Sequence, residues 1–353
     1  MKYLRLIPLL LLGAMLTACN TTKKLYEAQE YDQVIQRVAP DICHGNLNAK
    51  RINYVAASYH KANQADHERI QALKATGQPD VWPEIYQRYC SMKGRNDALS
   101  CFPNKVKKGM NYVKLDLDDD LMAARNKAEN FLVAKIEQLF ASGTKEDGQA
   151  ANHYAMQLAM TNEDNPNVAR YLFKSALCFG EKVFIGCNSD KDVSLTPEFK
   201  EKVLDFDEGE LPQYTDFETK WNRNAFYVYS VYASVSGIEI SPVRLDEVTF
   251  KETNGSKTVD VTDYSQTKRA KVSGYIIVWA YGDRKDEPFI SIPFEVKSTF
   301  KHDYTTIRGD REACSEETLR RLGGQSVPIP TDESLLLDAA KQLNDLIARE
   351  LNK

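Results

Sequence analysis

Apolar residues recur along this chain with two different periods, and the change of period divides it. From Thr22 to about Leu177 they return every three or four residues, the spacing of an amphipathic helix, in stretches separated by Gly, Pro and Asn. Leu25, Ala28, Tyr31, Val34, Ile35 and Val38 form one such stripe and predict a helix over 22–38 that Pro40 stops. Ile52, Val55, Ala56 and Tyr59 predict a second over 49–62. Asn63-Gln64-Ala65-Asp66 then reads as the start of a third, with Ile70 and Leu73 inward and Gly77 at its end. Pro83 suits the first turn of a fourth, which carries Ile85, Tyr86 and Tyr89. A longer helix is predicted over 118–141, and two more over 146–161 and 166–178.

Past Trp221 the period becomes two. The runs 225–232, 243–253, 271–281 and 289–300 are rich in β-branched and aromatic residues and predict strands. Asn254-Gly255 between two of them is a hairpin signal. With turns and no helices between the runs, the sheet is expected to be antiparallel. A final stripe of Leu335, Leu336, Ala339, Ala340, Leu343, Leu346, Ile347 and Leu351 predicts a helix that lies on a sheet face. The expected fold class is α+β: an N-terminal array of α-helical hairpins, then an antiparallel β-rich domain with a C-terminal amphipathic helix. Residues 181–220 follow neither period and read as a connecting segment between a helical domain over 25–180 and a β-rich domain over 221–353.

The N-terminus is a separate matter. Lys2 and Arg5 precede an apolar run over 6–16, well short of the roughly 20 residues a spanning helix needs. Residues 1–18 therefore read as a cleavable signal peptide. Leu16-Thr17-Ala18-Cys19, which closes it, resembles the lipobox of bacterial lipoproteins. That resemblance implies that Cys19 becomes the acylated first residue of the mature chain and that 19–24 form its tether. It also implies outer-membrane sorting, since Asn20 stands where aspartate would favour the inner membrane. Thr21-Thr22-Lys23-Lys24 lacks an acidic surface-export tract, so the body is expected to face the periplasm.

Two further resemblances concern the helical part. Leu25-Tyr26-Glu27-Ala28-Gln29-Glu30-Tyr31-Asp32-Gln33-Val34-Ile35 resembles the inter-helix part of a tetratricopeptide repeat, although no 34-residue period follows and Val34 stands where alanine is usual. The implied architecture is a TPR-like solenoid of stacked helix pairs. The blocks 59–70 and 77–89 are similar to a segment of an uncharacterised family of Gram-negative lipoproteins with a helical N-terminal and a β-rich C-terminal region. No activity comes with that resemblance.

Charge and cysteine content narrow the picture. The net charge of −4 becomes more negative once Lys2 and Arg5 leave with the signal, and no basic, aromatic-rich run is present, so a nucleic-acid partner is not expected. Apart from Cys19 there are six cysteines, Cys43, Cys90, Cys101, Cys178, Cys187 and Cys314, an even number that suits disulfides in an oxidising compartment. Proximity favours Cys90 with Cys101 and Cys178 with Cys187, leaving Cys43 and Cys314 to pair or stay reduced.

Candidate chemistry is sparse. His44, His60, His67, His153 and His302 are scattered, and no zinc-ligand spacing occurs, so no metal or cofactor is expected. Asp116-Leu117-Asp118-Asp119-Asp120 lacks the calcium-loop glycine and reads as the acidic start of a helix, where carboxylates complement the dipole. Nucleophile-elbow, zincin and phosphate-loop motifs are missing. Trp82, Trp221 and Trp279, with 18 tyrosines, offer material for a glycan or peptide platform. The expected function is a lipid-anchored, non-catalytic envelope adaptor with a protein partner. The alternatives are a glycan-binding surface lipoprotein and an envelope glycan or peptidoglycan hydrolase.

Overall fold

The structure, a computed structural model, describes residues 22–207, 209–281 and 288–352, and divides between Ser175 and Ala176 into two compact units. The expected signal peptide over 1–18 and Cys19 lie outside the described residues. The chain is an α+β protein, helical in its N-terminal unit and built on a sheet in its C-terminal unit.

The first unit holds α1 (Thr22–Glu27), α2 (Tyr31–Cys43), α3 (Ala49–Thr76), α4 (Trp82–Leu99), α5 (Asn104–Gly109), α6 (Asp118–Ala141), α7 (Lys145–Thr161) and α8 (Val168–Ala176). Its core runs as three successive clusters, around Val34, Ile42 and Leu99, then Ile70, Ile85 and Met92, then Leu132, Ile136 and Leu158. Three expectations need correction here. The stretch 22–38 is two helices, broken where Gln29 takes a φ of 62°. Pro40 does not stop α2 but sits inside it. Helix continues past it because Ile42 is fully buried and the Pro40 carbonyl accepts from the His44 N–H at 3.0 Å. Finally, 49–76 is one helix, with no turn at 63–66. Asn63 and Asp66 look like capping residues, but both are buried in mid-helix by polar partners on α4.

The second unit contains β1 (Lys182–Ser189), α9 (Pro197–Val203), β2 (Asp216–Glu218), β3 (Tyr229–Ile240), β4 (Arg244–Asn254), β5 (Lys257–Ala280), β6 (Ile290–Gly309), α10 (Glu316–Arg321) and α11 (Asp332–Asn352). The sheet is mixed, not antiparallel throughout: β1 lies parallel to both β2 and β3. Residues 181–220 are accordingly no mere connector, since β1 is an inner strand with β2 and β3 on its two sides. Its residues 183–186 are all buried, so it shows no alternation to read. β3 and β4 take successive stretches of one edge of β5, antiparallel to it, and β6 runs along the other. The β4–β5 hairpin closes through Gly255-Ser256, with Gly255 at a φ of 64°, which suits a two-residue turn opening on glycine.

The buried face of β5 changes sides along its length. At its start Val259 and Val261 pack with Phe250, Ile307, Ala313 and Cys314. From Gln266 onward the even-numbered residues are buried instead. The cause lies after β6. Residues 311–321 bond β4 and β5 on the first face, through Ser315 and Thr318 to Glu252 and Arg321 to Asp263. The segment then joins β6 through a bridge between Leu322 and Thr305. Beyond it, Ser326 and Pro330 accept from Gln266 and Lys268 on the other face. α11 follows there, burying Leu335, Ala339, Leu343 and Ile347 in contact with β5, β6 and α9.

Candidate functional site

Of the expected site residues, Cys19 lies outside the described residues, and the cysteine pairing differs from the one proximity favours. The disulfide joins Cys43 to Cys101, with Cα atoms 5.5 Å apart. Cys90 and Cys101 do not pair because most of the chain between them is helix, which rises about 1.5 Å per residue and keeps them apart. Cys187 sits in mid-strand, where the chain runs extended at about 3.3 Å per residue beyond the turn that holds Cys178. Burial pushes the Cys187 thiol up to about 11, so it is held protonated at neutral pH. Cys314 packs at the edge of the Val259–Val261 cluster.

The histidines are dispersed. His60 and His67 share α3, contrary to the turn expected between them, but His60 bonds the Met110 carbonyl at 2.8 Å and His67 is exposed. His44, His153 and His302 bond Pro40, Gln157 and Gln325. Among the described residues no group of three His, Cys, Asp or Glu side chains converges as a metal site. Asp118 and Asp120 lie in the first turn of α6 and pair with Lys93 at 2.9 Å and Lys74 at 3.6 Å.

The helical unit hides a polar network that amphipathic periodicity does not reveal. Arg95, almost wholly buried, donates to Asp32 Oδ1 at 2.6 Å, Asn63 Oδ1 at 2.7 Å and Asp66 Oδ2 at 2.5 Å. Arg88 joins Asp66 at 2.7 Å to Glu84, and Arg69 forks onto Glu84 with two bonds of 3.0 Å. The Arg69 and Arg88 guanidiniums hold the Glu84 carboxyl down to about 2. Beside the network, burial raises Tyr59 to about 12, and its hydroxyl donates to Asn96 at 2.7 Å. Every acid here faces a cation, and the network ties α2, α3 and α4 together.

The outward face of the sheet is different in character. Strand register lines up Glu218, Phe184, Ser230 and Trp279 in one row, Gly186, Tyr232 and Ile277 in the next, and Ser234 with Tyr275 in a third. Gly186 permits this arrangement. A Cβ there would come within 2.8 Å of both the Phe184 and the Tyr232 rings. Phe184 also meets Trp221 edge-on at 5.0 Å, and Trp221 tilts against Tyr227 at 4.9 Å. Trp221 nonetheless remains 57% exposed, and it lines an open cleft of about 570 Å³ with Glu218, Lys220, Asn222 and Arg223. Trp82 differs, since Lys127 covers its ring at 4.0 Å.

Beside this cleft Lys182 pairs with both Asp216 and Glu218, while Lys220 and Arg223 on its lining are exposed. Lys182 bonds Asp216 at 2.8 Å and also Glu218, which raises the ammonium. Glu218 accepts from both Lys182 and the Tyr227 hydroxyl, and these donors lower its carboxyl. A general base works best with its pKa near the operating pH, and this carboxylate has moved away from it. The arrangement places an exposed indole beside the paired Lys182 and Glu218 and the exposed Lys220 and Arg223. Sequence inspection finds Trp221 as one of three tryptophans but misses Lys182 and Glu218, which only the parallel pairing of β1 and β2 brings together. No family model matches the chain, and no curated protein is similar to it. No helix among the described residues is long and apolar enough to cross a membrane.

Proposed function

We propose that this chain is a lipid-anchored, non-catalytic protein of the bacterial envelope, an adaptor that grips a protein partner. The observation that carries the reading is Trp221, an indole in the segment after β2 that packs on Phe184 of the sheet yet stays exposed, beside the paired Lys182 and Glu218. Tryptophan is among the residues that dominate protein interfaces, and a preformed face loses little entropy on binding. The signal segment and the lipobox-like Leu16–Cys19 support anchoring through Cys19 in the outer membrane, with the body toward the periplasm. A disulfide between Cys43 and Cys101 suits that oxidising compartment. The helical unit is read as a TPR-like array. Support comes from its three successive core clusters, each shared by neighbouring helices, as in a solenoid.

The test is in-cell crosslinking of the tagged full chain beside Cys19→Ala and Trp221→Ala versions, scored by mass spectrometry. One envelope complex recovered from the parent, and depleted at least tenfold in both variants, is the expected result. Recovery that Trp221→Ala leaves unchanged would overturn the role given to this surface. A glycan partner is the second reading, favoured by the same indole lying next to the polar Glu218, Asn222 and Arg223. Retention of the Trp221-dependent signal on a glycan array, with no protein captured, would select it.

A further inference from the structure

We propose that β4 is a self-pairing edge, and that two copies of the chain join along it as an antiparallel two-fold dimer with Val248 on the axis. β4 is a terminal strand of the sheet: among the described residues its only strand partner is β5. It is eleven residues long, its register against β5 has no bulge, and it contains no proline. Bulges, prolines and short length, which often blunt an edge, are not used here; the guard β4 does carry is charge, at Arg244, Asp246, Glu247, Lys251 and Glu252, so pairing must satisfy those charges.

The hairpin fixes which backbone groups are free. In a two-residue hairpin the flanking Asn254 and Lys257 exchange both hydrogen bonds, and the pattern alternates from there. The N–H and C=O of Leu245, Glu247, Thr249 and Lys251 therefore point outward from the sheet. With the axis at Val248, Glu247 meets the second copy's Thr249 and Leu245 meets its Lys251, which gives about eight inter-chain bonds.

Charge selects this register. Arg244 stands opposite the second copy's Glu252, twice over, while Glu247 is diagonal both to its Lys251 and to its Glu247, so the two Arg244–Glu252 pairs carry the selection. Moving the axis to Thr249 would set Asp246 against Glu252 on both sides, and moving it to Glu247 would oppose that residue to itself. Glu252 is prepared for a cation. Its carboxylate is held by the Ser315 N–H at 2.6 Å and the Thr318 hydroxyl at 2.7 Å, yet among the described residues it makes no ion pair. Arg244, 73% exposed, now bonds Asp246 through Nε at 2.8 Å, and the dimer asks its guanidinium to serve the second copy's Glu252 as well. Val248, 62% exposed, would be covered by its own symmetry mate.

The experiment is cysteine crosslinking of the full chain extracted in detergent. Residues meeting at a non-hydrogen-bonded antiparallel pair have Cα atoms about 4.5 Å apart, within disulfide reach, so Val248→Cys should give a covalent dimer under mild oxidant. Thr253→Cys, five residues along the same strand, should stay at the background of the unsubstituted chain. Adding Arg244→Glu to Val248→Cys should reduce the dimer at least tenfold while the far-ultraviolet circular dichroism of the chain holds, because Arg244 is exposed in the single chain. A Val248→Cys dimer no stronger than that of Thr253→Cys, or one indifferent to Arg244→Glu, would overturn the proposal. None of the three substitutions alters Trp221, so this result stands apart from that of the partner-capture experiment.

Discussion

Arg95 donates from Nη2 to Asp66 Oδ2 at 2.5 Å, and both side chains are withdrawn from water, 5% and 10% exposed. Removing one member of a buried pair costs more than the pair contributes, because the other charge is left without compensation. Arg95→Leu should therefore destabilise the chain by about 3 kcal/mol, the low end of the range for such losses, since Arg88 still holds the other oxygen of Asp66. Arg95→Lys should restore little, as one ammonium cannot serve Asp32, Asn63 and Asp66 in the way a planar fork does. Urea unfolding followed by circular dichroism measures both.

Glu84 makes the same network sensitive to acid. Its carboxyl sits at about 2 in the folded chain against 4.5 ordinarily. The ionised form is thus favoured by folding, and its contribution is complete above pH 4.5 and fades as pH falls toward 2. Glu84→Gln should melt below the parent at neutral pH, and the difference should close through that window. Glu84 is partly exposed, so the effect should also weaken in high salt. A melting-temperature difference that is flat from pH 7 to 2 would remove Glu84 as its source.

These groups show where sequence reading reached and where it stopped. The helix over 118–141 was legible because its stripe faces one neighbour at a time, and the β4–β5 hairpin because Gly255 marks a turn locally, although the loop is Gly255-Ser256 and Asn254 closes the strand instead of opening the turn. Asn63 and Asp66 misled because polar residues at such spacing ordinarily cap helices. What turns them inward is Arg95, about 30 positions away. β1 was missed for the opposite reason, being apolar on both faces and lying in a stretch without period. The disulfide was open to six cysteines, and the helix between Cys90 and Cys101 decided against the nearer pair.

That disulfide closes a loop with a sequence separation of 58, tying the end of α2 to the residues just after α4. Constraining the unfolded chain over such a loop contributes about 2–4 kcal/mol. Cys43→Ser with Cys101→Ser should lower the urea midpoint accordingly, and adding reductant to the parent should reproduce the shift. The doubly substituted chain should then be indifferent to reductant. A reductant effect that persists in it would show a second disulfide elsewhere.

Gly186 offers the sharpest test of the aromatic surface, because its Cα leaves the gap into which the Phe184 and Tyr232 rings converge. Gly186→Ala places a methyl group 2.8 Å from both, so the rings must separate, and overpacking of this kind costs about 1–3 kcal/mol. Phe184 also supports Trp221, so the displacement should reach the exposed indole. Near-ultraviolet circular dichroism and tryptophan emission should change while the far-ultraviolet spectrum holds, since β1 keeps its pairing with β2 and β3. Partner recovery should fall in the same variant. If emission shifts and recovery does not, the indole is a structural cover for Phe184, and the binding surface must be sought elsewhere on the chain.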